Sequence, residues 1–173
     1  MAKKVTFNID LSEYSPLERE AIAIEVIDRI VKRTKQGKDK NGDTFAPYSK
    51  TYTKSLDFQN AGKSKRVNLE LSGDMLDSIE IVKNAPKMEI GFSSNNPERG
   101  KAEGNILGTY GQPKPVGPGR DFLGITDSEL DSILRKYPPK SKKSETRAKQ
   151  LLTNKDVAEK LSGRINTDDL EDE

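Results

Sequence analysis

Near the start of the chain, Val5, Phe7 and Ile9 alternate with Lys4, Thr6, Asn8 and Asp10. A period of two buries one face of an extended backbone, so residues 3–9 are expected to form a strand. The period then changes. Leu17, Ala21, Ile24, Ile27 and Val31 recur at helical spacing, and Ala23, Val26 and Ile30 widen the stripe into a broad apolar face. Ahead of it stand Ser15, Pro16 and Glu18: a capping hydroxyl, a proline suited to the first turn and the return arm of a capping box. Gly37 supplies the stop. This helix is expected to be the main covering layer of the core. Short-period alternation returns at Ile79–Val82 and again at Met88, Ile90 and Phe92, with a turn over residues 84–87, which together predict a hairpin.

The stretches between these elements are less regular. Residues 37–68 are polar, basic and rich in turn signals, with reversals at residues 40–43 and 60–62. Phe45, Tyr48, Tyr52 and Phe58 are spread through them without a sustained period. An excursion of that length from a small domain points to function or mobility. Leu69, Leu71, Met75, Leu76 and Ile79 predict a short amphipathic turn opening near Ser72 and Gly73, with its apolar residues serving as core scaffold. Between Ser93 and Arg120 fall six of the thirteen glycines and four of the nine prolines. Little regular structure is expected there beyond a short apolar piece around Ile106–Tyr110. Residues 121–125 read as a last apolar strand. Thr126 and Glu129 form a second capping box that launches Leu130, Ile133, Leu134 and Tyr137, and Pro138 and Pro139 end that helix. Ser141–Ser162 is amphipathic but thin.

These elements predict an α+β fold: a small antiparallel β-sheet with a long amphipathic helix packed across it, long flexible loops and a helical C-terminal extension. The boundary falls at Tyr137–Pro138, giving a domain over residues 1–137 and a charged helical or disordered extension over 138–173. The open sheet has edges without an evident cover, and such edges are candidate subunit contacts.

Composition narrows the chemistry. Of 173 residues, 32% are apolar and 34% charged, so a modest core is expected rather than one that uses every residue. There is no cysteine and no histidine. That excludes disulfides, thiolate nucleophiles, and the commonest general base and metal ligand. The carboxylate pairs Asp74/Asp77 and Asp127/Asp131 sit where helix starts and helix surfaces already account for them. Gly37 and Lys38 lack the glycine spacing of a phosphate-binding loop. No catalytic, cofactor or metal site is therefore expected. The longest apolar run, Ala21–Ile24, is far too short to cross a bilayer, and the first residues do not read as a signal peptide, so a soluble protein is expected.

Net charge is only +2, but it is unevenly placed. From Lys32 to Arg66, ten basic residues face Asp39, Asp43 and Asp57, a local balance of +7. From Arg135 to Lys149, seven basic residues face Glu145 alone, while residues 168–173 carry five carboxylates. The basic excursion reads as partner contact, then as solvated loop, then as DNA contact, since it carries no recognisable nucleic-acid reader motif.

Four patches occur in the order found in tailed-bacteriophage tail-completion and virion-morphogenesis proteins. They are residues 41–49 (NGDTFAPYS) with Thr51 and Thr53 beyond, residues 69–79 (LELSGDMLDSI), residues 89–93 (EIGFS), and Tyr110–Gly111 followed by residues 120–125 (RDFLGI). The chain resembles that head–tail joining family over roughly residues 40–126. Two positions depart from its pattern: Phe45 stands one place further from the proline than the usual aromatic, and Asp121 replaces a proline. The resemblance implies a structural virion protein of the neck, assembled in the host cytoplasm, whose ring, expected to be a hexamer, completes the tail and docks to the head. Implied partners are further copies of itself, tail-terminator or tail-tube proteins, and head connector, stopper or adaptor proteins, with non-specific proximity to packaged DNA and no membrane. A tail-terminator or connector-stopper subunit shares the same chemistry, and a basic DNA-binding accessory protein is the contrasting reading. The candidate interface residues are Phe45, Tyr48, Tyr52, Tyr110, Arg120, Phe122 and Leu123. Phe122 and Leu123 read equally as core anchors and as interface anchors.

Overall fold

The computed structural model describes residues 5–62, 66–69 and 74–154. The expectations for Lys3 and Lys4, for Leu71, Ser72 and Gly73, and for residues 155–173 lie outside that set.

The chain folds in the order β1 (Thr6–Asp10), α1 (Pro16–Lys35), α2 (Lys50–Thr53), α3 (Leu56–Asn60), α4 (Asp74–Asp77), β2 (Glu80–Lys83), β3 (Lys87–Gly91), α5 (Arg99–Leu107), α6 (Asp127–Leu134) and α7 (Lys142–Thr153). The three strands form one antiparallel sheet in the order β1-β3-β2, so the α+β reading holds. Phe7 lies opposite Ile90 and Ile9 opposite Met88, and an irregularity between Ile81 and Lys83 bends β2. Gly91 allows β1 to close on β3 because a Cβ there would sit 2.3 Å from the Val5 carbonyl oxygen.

Helix α1 begins as its sequence requires. The Ser15 hydroxyl accepts from the Glu18 amide, the Glu18 carboxylate accepts from the Ser15 amide at 2.8 Å, and Pro16 opens the first turn. Its burial differs from a single apolar stripe. Ala21, Ile22, Ala23 and Ile24 are consecutive and all buried, and four consecutive residues point to every side of a helix. Accordingly α1 is a middle layer, with the sheet on one side and α6 and α7 on the other. The extension expected to begin at Pro138 is joined to this body: Ala148 is fully buried and the Ser144 hydroxyl donates to the Glu18 carboxylate at 2.5 Å. The thin apolar set of α7 is enough because it meets the small residues of α1 rather than a separate core.

Three further expectations are corrected. Among the described residues, 121–125 pair with no strand; the Asp121 carbonyl accepts from the Lys40 amide, and those of Phe122 and Gly124 are taken by a side chain described below. Residues 37–68 contain α2 and α3, started by Ser49 and Ser55, whose hydroxyls accept from the Tyr52 and Phe58 amides. Residues 93–120 contain the nine-residue helix α5, which buries the small residues Ala102 and Gly104 instead of large apolar ones.

Candidate assembly interface

The segment that follows α5 returns along the core, and Arg120 stands at its start. Its backbone amide donates to the Asn105 carbonyl at 2.7 Å, which fixes the segment to α5. Only 5% of Arg120 is exposed, yet no carboxylate forms an ion pair with it among the described residues. The guanidinium lies between two rings, 5.2 Å from the Tyr48 centroid and 5.3 Å from that of Tyr110. Each such contact contributes about 0.5–2 kcal/mol when water is excluded. Its terminal nitrogens donate to the Tyr110 hydroxyl and to the carbonyl oxygens of Ala46 and Pro47, at 3.4 and 3.3 Å. Among the described residues its Nε finds no acceptor. Arginine suits this position because its planar group stacks on aromatic faces while its edges reach several carbonyls.

Arg120 therefore joins the two long loops. Tyr48 belongs to residues 37–68, and Tyr110 to residues 93–120. The Tyr110 hydroxyl receives from Arg120 and donates onward to the Pro118 carbonyl at 2.6 Å, closing its loop over the arginine. Gly108 makes that closure possible, since a Cβ there would meet the Gly117 carbonyl oxygen at 2.2 Å. Tyr48 continues the surface in the other direction. Its ring lies 5.2 Å from Tyr52 and 5.6 Å from Phe58, and Tyr52 and Phe58 lie 5.4 Å apart, a triangle of tilted and edge-on contacts. Burial raises the Tyr48, Tyr52 and Tyr110 hydroxyls above their ordinary range, outweighing the opposing charge of Arg120, so all three stay neutral hydrogen-bonding groups.

The seven expected interface residues divide by burial. Tyr48, Tyr52, Tyr110 and Arg120 form one aromatic and cationic cluster. Phe45 is buried with the core, although its neighbours Ala46 and Pro47 supply carbonyl groups to Arg120. Phe122 is fully buried, edge-on to Phe92 with centroids 6.4 Å apart, and Leu123 is 7% exposed. In this chain those two are core anchors that hold Arg120 in register. Asp121 pairs with Lys40 at 2.7 Å on the surface.

Sequence reasoning missed three contributors. Phe58 completes the aromatic triangle. Leu56, on the first turn of α3, is 74% exposed. Arg33, counted only as one of many basic residues, is buried and donates to the Phe122 carbonyl at 3.0 Å, the Gly124 carbonyl at 2.7 Å and the Glu129 carboxylate at 2.6 Å. One sign of it was present: Arg33 falls three residues after Ile30, in phase with the apolar face of α1.

Taken together, fold and cluster define a small α+β protein whose described surface concentrates its aromatic and apolar groups on two long loops latched by one arginine. No family model, curated protein or solved structure matches the chain. No group of three or more acidic or metal-ligating side chains gathers among the described residues, and no described helix is long and apolar enough to cross a membrane.

Proposed function

We propose that the chain is a non-enzymatic structural subunit of a tailed-phage neck, which assembles with its own copies into a ring that completes the tail and joins it to the head connector. One observation carries the reading. Among the described residues the exposed large apolar side chains are Leu56, Tyr110 and Val116, at 74%, 38% and 65% exposure, and all three lie on the two loops that Arg120 ties together. A single exposed apolar residue is ordinary; several around one aromatic cluster mark a surface that another protein covers. The resemblance described above supports the same role, because two of its separated patches supply Tyr48, Tyr110 and Arg120 to this cluster.

The test combines native mass spectrometry of the purified chain with quantitative mass spectrometry of purified phage particles and neck intermediates. A ring of defined copy number is expected, together with the chain's presence in those particles. Leu56→Asp combined with Val116→Asp is expected to dissociate the ring while leaving the circular dichroism spectrum unchanged. A chain that stays monomeric at high concentration and is absent from particles would overturn the proposal.

A further inference from the structure

Two concavities meet at the last turn of α6, away from the Arg120 cluster. One encloses about 520 Å³ between α7 and the connection that joins it to α6. Arg135, Lys136, Lys143 and Arg147 line it, and among the described residues no carboxylate does. The other encloses about 410 Å³ between α1 and α6, where Arg29, Lys32 and Lys38 join Lys136. Lys136 lines both, so the two form one basic surface. Most of the nearby acidic charge is committed. Glu25 receives Lys136 and Arg147, and Glu129 receives Arg33. Asp28 is left as the carboxylate of the second concavity without an ion pair among the described residues.

Arg29, Lys32, Lys38, Arg135 and Lys143 make no ion pair among the described residues, and like charges gathered in a concave surface attract an anionic occupant. Its chemistry follows from what the lining lacks. Among the described residues, neither concavity is lined by an aromatic ring on which a base could stack. The chain itself carries a matching segment: residues 168–173 hold five carboxylates and no basic group. We propose that the basic surface between α1, α6 and α7 binds the chain's own acidic run, Asp168–Glu173, within the same molecule.

Reach and concentration favour the intramolecular pairing. Gln150 of α7 lines the larger concavity, and α7 ends at Thr153, within one turn of it. The residues from Asn154 to Asp168 can extend across about 46 Å, more than the length of α1. Because the acidic run belongs to the same chain, its pairing is intramolecular and independent of protein concentration, unlike pairing with a separate chain. The acidic run then neutralises the basic face, and any other polyanion must displace it to bind.

Carbodiimide cross-linking of the full chain, followed by peptide mapping, tests the contact. Cross-links from residues 168–173 to Lys32, Lys38, Lys136 or Lys143 are expected within monomers. Their yield should not change on dilution and should fall about fivefold at high salt, where exposed charges are screened. Cross-links spread evenly over distant exposed lysines such as Lys50 and Lys87 would overturn the proposal. Cross-links found only between chains and lost on dilution would overturn it in favour of a second copy. A second measurement removes dependence on cross-linking efficiency: binding of a fluorescent DNA duplex to the full chain and to a variant with all five carboxylates of residues 168–173 changed to amides. The variant is expected to bind about fivefold more tightly because the competing segment is gone. Equal binding by the two proteins would show that the acidic run does not occupy the surface.

Discussion

Arg33 donates to the carbonyl oxygen of Phe122, two residues along the backbone segment that Arg120 begins. Both arginines thus fix one short stretch, residues 120–124, Arg33 from α1 and Arg120 from the loops. Such a stretch has no sheet partner among the described residues; the Lys40 amide serves the Asp121 carbonyl at 2.9 Å, and the carbonyl groups of Phe122 and Gly124 would lie unpaired without Arg33. The guanidinium suits this task, because its planar fork of five N–H donors can serve two carbonyls and a carboxylate together.

Replacing Arg33 should therefore cost more than removing a surface charge. Arg33→Met leaves Glu129 and two buried carbonyls without their donor, and a loss of about 3–5 kcal/mol in unfolding free energy is expected. Arg33→Lys should recover less than half of it, because one ammonium cannot reproduce the fork. Chemical denaturation of the three proteins measures both effects. A loss below about 1 kcal/mol for Arg33→Met would place the support of this stretch elsewhere.

Arg120 makes a different prediction because its acceptors lie on loops. In Arg120→Met, the methionine fills the space between the two rings but leaves Tyr110 and the carbonyls of Ala46 and Pro47 without their donor. The loop over residues 108–119 should become a preferred site of proteolysis, with cleavage rising about tenfold. Global stability should fall by about 1–3 kcal/mol. Limited proteolysis followed by mass spectrometry reads the site of opening. Unchanged cleavage within 108–119 would remove Arg120 from its role as the latch.

How much of this was visible beforehand depended on which force built each element. Helix α1, the hairpin and α6 rest on apolar periodicity and capping boxes, and the chain displays both. Helices α2 and α3 rest on single serine caps at Ser49 and Ser55, too local for a periodic signal. Helix α5 packs through Ala102 and Gly104, so small size replaces hydrophobicity as the packing signal. Residues 121–125 looked like a strand because they are apolar, but the hydrogen-bond partner of the Phe122 and Gly124 carbonyls is Arg33, sequence-distant and unmarked by any turn. The middle position of α1 was encoded in the consecutive run Ala21–Ile24, which reads as a length limit for membrane crossing before it reads as all-round burial. At the candidate interface, residue types pointed to Tyr48, Tyr52, Tyr110 and Arg120, while their convergence on Arg120 required the fold.

The docking of α7 on α1 gives the protein an acid-sensitive joint. Burial alone would raise the Glu18 carboxyl, but hydrogen bonds from Ser144 and Ser15 hold it below its ordinary value of 4.5. At Glu25 burial likewise opposes ionisation, and Lys136, Tyr137 and Arg147 outweigh it. A carboxylate depressed in the folded state contributes stability that is fully present above its unfolded value and is lost as pH falls through the folded one. Stability should hold above about pH 4.5 and decline below it. Glu18→Gln and Glu25→Gln should each lower stability near neutrality and flatten the acid limb. Thermal unfolding across that range checks the sign, and a wild-type stability that rises on acidification would contradict it.

Helix α7 is expected to be a layer of the folded body rather than an extension that divides from it at Pro138. A chain ended at Tyr137 loses Ala148 and Ser144 from the surface of α1, leaving buried Glu18 without one donor and uncovering part of the apolar helix. Leu151 and Leu152, which pack against the same cluster, are lost with them. Removal of that apolar cover should cost on the order of 3 kcal/mol, with further loss from the unpaired carboxylate. A chain ended at Asn154 keeps every one of these contacts and should unfold at a clearly higher denaturation midpoint than the chain ended at Tyr137. Denaturant titration of both truncations decides the matter. If the shorter chain unfolds at the same midpoint as the longer one, α7 is an appended helix and not a layer of the fold.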